Sequence, residues 1–284
     1  MAGFFGLFNY EKEGPGISKN APKKKTFIIF FETFFRNFWK FITINLFYGI
    51  LSLPVLTNGL ANAGITNVTR NIARDKHSFG LSDYFDTIKK NWKQALPAGI
   101  INTLIYIVLF FDLWFFYGQK NQTASTIGLG ITLSLLFIFT IMNYFIWTLM
   151  ITFKFSLKQI YKNSFKFVFI NIKNNLIAFV SLLLVHAVYI GIGALLFKYI
   201  LFVATIEVIV YLVTYPAFKF LLIQFCIFPS IKKYIIDPYY EEHPDEDIDK
   251  RRDLGIEVVE EKPAKPEGED GDGEEEEPEN VFTD

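Results

Sequence analysis

An all-α, polytopic membrane bundle is the fold class this sequence predicts, on three observations. Four apolar runs, residues 96–117, 127–153, 176–197 and 201–228, each reach the ~20 residues that a helix needs to cross a ~30 Å hydrocarbon core. Hydrophobic residues make up 51% of the chain and aromatic ones 18%, far more aromatic than an ordinary soluble domain. Lys and Arg gather in alternate connections between the runs, the pattern of loops retained on the cytoplasmic side. The net charge of −1 averages two unlike regions, because the acids pile up after Glu241.

Residues 1–37 read as a cytoplasmic lead-in. The opening MAGFFGLFNYEKE has an apolar patch too short for a signal-peptide core, no basic residue before it and no small-residue cleavage pattern after it. Ala2 fails the myristoylation pattern, which needs Gly second. Gly14, Pro15, Gly16 and Pro22 keep the next stretch extended, and Lys23, Lys24 and Lys25 precede the first apolar segment on its inward side.

The membrane domain is expected over residues 38–236, and its first part is the difficult one. As one helix, residues 38–73 would rise about 54 Å at ~1.5 Å per residue, too long for one pass and enough for two short ones. Pro54, midway, removes an N–H and breaks or kinks the helix. Two passes put every basic segment inside, and leave outside the two poor connections, with only Lys120 and only Lys198. The expectation is therefore six passes, arranged as three helical hairpins, with both termini cytoplasmic in the cell membrane. A re-entrant hairpin over residues 38–73 gives the same parity, and both forms stay open.

Within this region Asn58, Asn62, Thr66, Arg70 and Arg74 recur every fourth residue, one stripe on a helix, with Gly59 and Ala63 beside it. Lipid cannot face that stripe. It serves either a packed contact of small residues and interhelical hydrogen bonds or a surface that lines a path for a small solute.

Three segments lead into outward passes in the same way. Phe85, Asn91, Lys93 and Leu96 recur at one offset as Phe165, Asn171, Lys173 and Leu176, and Phe31 and Asn37 keep the same Phe-to-Asn spacing. Each segment is expected to be a cytoplasmic juxtamembrane amphipathic helix. Lys154, Lys158, Lys162 and Lys166 share one face, and Lys89, Lys90 and Lys93 lie mostly away from the Tyr84, Phe85, Ile88 and Trp92 face. Their place at membrane boundaries points to anionic headgroups at ~1 kcal/mol per residue, or to a cytosolic partner, rather than to nucleic acid.

Signatures of catalysis are missing: there is no HExxH, GxSxG, GxxxxGK[ST] or dinucleotide-binding glycine pattern, and the 3 His are dispersed. No catalytic residue, cofactor or metal site is expected, and the single Cys226 allows no intrachain disulfide or CxxC site. The intramembrane ionisable residues are Asp112 and Glu207 near outer helix ends, His186 mid-helix, and Lys219, whose stem can reach towards the cytoplasm. Residues 237–284 are acidic, rich in Pro and Gly and nearly free of aromatics, the composition of a disordered cytoplasmic tail.

Several motifs occur in a recognisable order: Phe8-Asn9-Tyr10, Gly14-Pro15-Gly16, the lysine cluster, FFRNFWK from Phe34 to Lys40, Leu53-Pro54-Val55-x-Thr57, and KKNWKQAL from Lys89 to Leu96. In this the chain resembles the YesL-like family, bacterial integral membrane proteins classed as a domain of unknown function. The likeness runs over residues 4–236, and the acidic tail lies outside it. The resemblance implies a non-enzymatic accessory role in carbohydrate uptake or utilisation, alongside a carbohydrate ABC transporter. The alternative is a small-solute transporter that uses the polar stripe.

Overall fold

The computed structural model describes residues 25–197 and 201–242, and among these it is helical throughout with no strand. The lead-in up to residue 24, the lysines at 23 and 24 among it, and the tail beyond 242 lie outside the described residues. The chain divides into two units, residues 1–232 and 233–284. In the second, the described part is the end of a π-helical turn and a short helix, Asp237–Glu242.

The first unit holds α1 (Thr26–Arg36), α2 (Phe38–Ser52), a 3₁₀ turn (Val55–Thr57) and α3 (Asn58–Ala73). It continues with α4 (Leu81–Tyr117), α5 (Gln122–Thr152), α6 (Leu157–Ile170), α7 (Ile172–Phe197) and α8 (Leu201–Ile231). Among the described residues, α4, α5, α7 and α8 are the four helices long and apolar enough to cross a membrane, and α2 is a shorter apolar one. Their apolar residues point outwards: Ile107, Val108, Phe110 and Phe111 on α4, Leu183, Leu184 and Val188 on α7, and Val208 and Ile209 on α8 are all exposed. Water does not tolerate such a belt on a folded chain, whereas lipid is its natural solvent.

Six helices of crossing length are thus not what the described residues contain. At ~1.5 Å per residue, the 15 residues of α2 and the 16 of α3 rise only about 22 and 24 Å. The two fold back on each other. Arg36, just ahead of α2, pairs with Asp75 just after α3 at 2.5 Å, and the Tyr48 hydroxyl donates to Asn62 Oδ1 at 3.0 Å. The same antiparallel pairing joins α4 to α5, through Asn102 and Asn143, and α7 to α8, through Tyr189 and Thr214.

At the centre is α3, which packs against α2, α4, α5 and α8. It is also a poor candidate for burial by hydrophobicity, and small residues explain its place. A Cβ on Gly59 would lie 2.0 Å from Ala95 O and 2.8 Å from Gly99 Cα, so the backbones of α3 and α4 touch there. Farther along, Gly64 faces the ring of Tyr84, again with no room for a side chain.

Asn45 fastens the hairpin from its other side. Pro216 lacks an N–H and opens the α8 ladder, and Asn45, 1% exposed, fills the gap. Its Oδ1 accepts from Ala217 N at 2.8 Å and its Nδ2 donates to Val213 O at 2.6 Å, the two groups that an unbroken turn would pair with each other. Neither backbone group is left without a partner in an apolar interior, where each would cost about 1–3 kcal/mol.

The juxtamembrane segments differ in how they join the long helices. Asn37 separates α1 from α2 and Asn171 separates α6 from α7, with backbone angles of φ −105°, ψ 15° and φ −108°, ψ 29°. Asn91 occupies the corresponding place in sequence, yet α4 runs through it unbroken. The Asn37 and Asn91 side-chain amides both donate to the carbonyl four residues back, Thr33 O and Thr87 O.

Candidate functional site

A cavity of about 340 Å³ opens inside the bundle, lined from α2, α3, α4, α5, α7 and α8. Its polar wall is Tyr48, Asn58, Asn62, Tyr106, Asn143 and Tyr144, completed by His186, Tyr215 and Lys219, and Trp147, Phe179 and Phe220 supply flat apolar faces. Cavities of this size take small solutes, which a few placed polar groups orient within an otherwise apolar wall.

The amides are held by one another. Asn62 Nδ2 donates to Asn58 Oδ1 at 3.2 Å while its Oδ1 receives the Tyr48 hydroxyl. From the other side a relay begins on α6, where the Tyr161 hydroxyl donates to Asn102 Oδ1 at 2.6 Å. Asn102 Nδ2 donates in turn to Asn143 Oδ1 at 2.8 Å, and Asn143 Nδ2 to Phe139 O at 2.9 Å. Burial pushes the Tyr161 phenol up to about 12, so it stays protonated and remains the donor at the head of the relay.

His186 is positioned by its own helix and by α8: Nδ1 lies 2.7 Å from Leu182 O and 3.4 Å from the Tyr215 hydroxyl. The Tyr215 ring packs edge-on against the imidazole. Lys219, expected to reach along its stem towards the cytoplasm, lines the cavity, its ammonium 5.4 Å from the Phe220 ring. Asp112 and Glu207 do not line it. Glu207 instead packs on α7, its Oε2 3.1 Å from where a Cβ on Gly193 would stand.

The stripe on α3 divides. Asn58 and Asn62 face the cavity, and Thr66 is buried with its hydroxyl donating to Asn62 O. Arg70 leaves the cavity wall and donates to Thr152 Oγ1 at 2.7 Å and to Asn67 Oδ1 at 2.9 Å, tying α3 to the end of α5. Arg74 lies over the Phe228 ring at 4.7 Å. Packed contact and cavity wall are therefore both present, at opposite ends of one helix.

The seven lysines Lys89, Lys90, Lys93, Lys154, Lys158, Lys162 and Lys166 are all exposed. On α6 they lie opposite the buried Ile160, Ser164, Phe167 and Val168. Gln94 Nε2 donates to Phe155 O at 3.0 Å, which joins the chain next to Lys93 to the chain next to Lys154.

Among the described residues no group of three or more His, Cys, Asp or Glu could hold a metal ion. Sequence reasoning missed Asn45, Asn102, Asn143 and the tyrosines of the cavity. Single polar residues inside apolar runs were the available signal, since lipid excludes them unless a partner helix receives them.

Residues 41–113 match the family described as "Protein of unknown function, DUF624". Over this segment the chain is similar to the DUF624 family. YesL-like families are DUF624 members, which agrees with the resemblance in the motifs. The DUF624 segment runs from within α2 to near the end of α4, and so includes Asn45, Asn58, Gly59, Asn62, Gly99 and Tyr106. No curated protein and no solved structure matches the chain.

Proposed function

We propose that this is a non-enzymatic multi-pass membrane protein that binds a small polar solute inside its bundle, as a transporter or solute receptor would. The observation that carries the reading is the cavity: amides, phenols and an imidazole from six helices converge where lipid-facing helices have no use for them. Asparagine amides beside aromatic faces also suit a carbohydrate, the solute class that the YesL-like resemblance suggests. In liposomes, purified protein should bind or take up a small sugar, and Asn62→Leu should lower that at least tenfold while the protein stays folded. Absence of binding and flux across a panel of sugars and polyols would remove the proposal.

The topology we propose with it has four crossings and one re-entrant hairpin, α2–α3, with both termini on the cytoplasmic side of the cell membrane. Two features support re-entry. Gly59, next to the turn, meets Gly99, which lies roughly 27 Å along α4 from its end at Tyr117. At the turn itself Leu53, Val55 and Leu56 are 81%, 56% and 61% exposed, apolar side chains suited to lipid.

A second reading rests on the basic surface. Seven exposed lysines with Trp92 exposed among them favour contact with anionic headgroups or with a partner complex such as a carbohydrate ABC transporter. Co-purification from native membranes tests it, and a transporter that co-purifies with the wild type but not with a Lys89, Lys90 and Lys93 to Gln variant would support it.

A further inference from the structure

The cavity offers several hydrogen-bond donors without partners among the described residues, and one of them is charged. We infer that its ligand is a small organic monoanion whose carboxylate sits at Lys219. The inference rests on the solute-binding reading and adds the charge of the solute.

Four donor-bearing side chains line the cavity with no hydrogen-bond partner among the described residues. They are the Lys219 ammonium, the Asn58 amide nitrogen, the Tyr144 hydroxyl and the Trp147 indole N–H. None of the four is among the fully buried polar atoms without partners, which are on Arg70, Tyr84, Ser164 and Gln224. The three amide oxygens each already receive one bond: Asn58 Oδ1 receives Asn62, Asn62 Oδ1 receives Tyr48, and Asn143 Oδ1 receives Asn102. His186 keeps Nε2, the one ring nitrogen not engaged by Leu182.

Charge points the same way. Among the described residues no carboxylate lines the cavity, and the Lys219 ammonium lies 5.4 Å from the centre of the Phe220 ring. An ammonium inside a bundle with no counter-ion bears a desolvation penalty, which an anion beside it offsets. A singly charged carboxylate balances one lysine, while a phosphate dianion would leave net negative charge in the bundle. The neutral donors then suit the second carboxylate oxygen and the hydroxyls of a polyhydroxylated body.

The test compares solutes matched in shape that differ in charge, on the full chain in zwitterionic nanodiscs by titration calorimetry: gluconate against sorbitol, and lactate against propane-1,2-diol. The expected result is that at least one acid binds ten or more times tighter than its neutral partner at pH 7. Lys219→Met, which keeps the stem, should remove that preference. Neutral solutes binding as well as the acids would overturn the anion inference and leave the solute cavity standing. No binding of any of the four would count against both. The wild-type comparison decides even where Lys219→Met fails to fold.

Discussion

The turn between α2 and α3 and the turn between α4 and α5 both reverse a helix, with opposite chemistry. In the first, Leu53, Val55 and Leu56 project outwards, and the polar groups close on the turn itself. Thr57 Oγ1 donates to Leu51 O and Pro54 O, Ser52 Oγ donates to Gly49 O, and Pro54 has no N–H to satisfy. In the second, Gly118, Lys120 and Asn121 are exposed, and Asn121 caps α5 by accepting from Thr123 N and Ala124 N. A turn in lipid must satisfy its backbone internally, whereas a turn in water leaves the remainder to solvent. The difference teaches that similar chain reversals in one protein can be built with opposite chemistry, and it supports the re-entrant hairpin proposed above.

The strongest way to break that comparison is to push the α2–α3 hairpin out of the bundle. Gly59→Leu would drive a side chain into the α4 backbone, and its cost should exceed about 3 kcal/mol, seen as loss of monodisperse protein in detergent. Next in size is a charge at each turn. Leu56→Lys should destabilise by about 3 kcal/mol if the tip lies deep in lipid, and Gln122→Lys by almost nothing, both read by thermal unfolding in nanodiscs. Equal effects at the two positions would place both turns in water.

Asn45→Leu tests the fastening at Pro216. It leaves Val213 O and Ala217 N–H without partners, and a loss of about 2 kcal/mol is expected, with faster hydrogen exchange at Ala217. Asn121→Ala removes a cap in water and should cost only about 1 kcal/mol, without changing solute binding.

Much of the architecture could be read from the chain. Lipid imposes length and apolarity, and α4, α5, α7 and α8 declare themselves by both. The four-residue period of Asn58, Asn62, Thr66, Arg70 and Arg74 marked α3 as a helix that lipid could not face, and α3 lies at the centre of the bundle. What the period could not separate was the cavity end from the packed end, because that depends on α5 supplying Thr152 to Arg70 and on α7 and α8 bringing His186 and Lys219 beside the asparagines. Asn45 and Pro216 are far apart in sequence, and each alone reads as an anomaly in an apolar run. Their meaning lies in the pairing, which tertiary packing sets. The run Leu53 to Leu56 reads in sequence as a helix break, and its outward apolar side chains emerge only once α3 is seen folded against α4.

The depth of the α2–α3 hairpin is the central claim, and cysteine labelling tests it most directly. In a Cys226→Ser background, Val55→Cys, Gln122→Cys and Lys89→Cys are treated with an impermeant maleimide on intact cells and on inverted vesicles. The account predicts that Gln122→Cys labels only from outside, Lys89→Cys only from inside, and Val55→Cys from neither side. Labelling of Val55→Cys from the outside, together with Gln122→Cys, would mean two full crossings and contradict it.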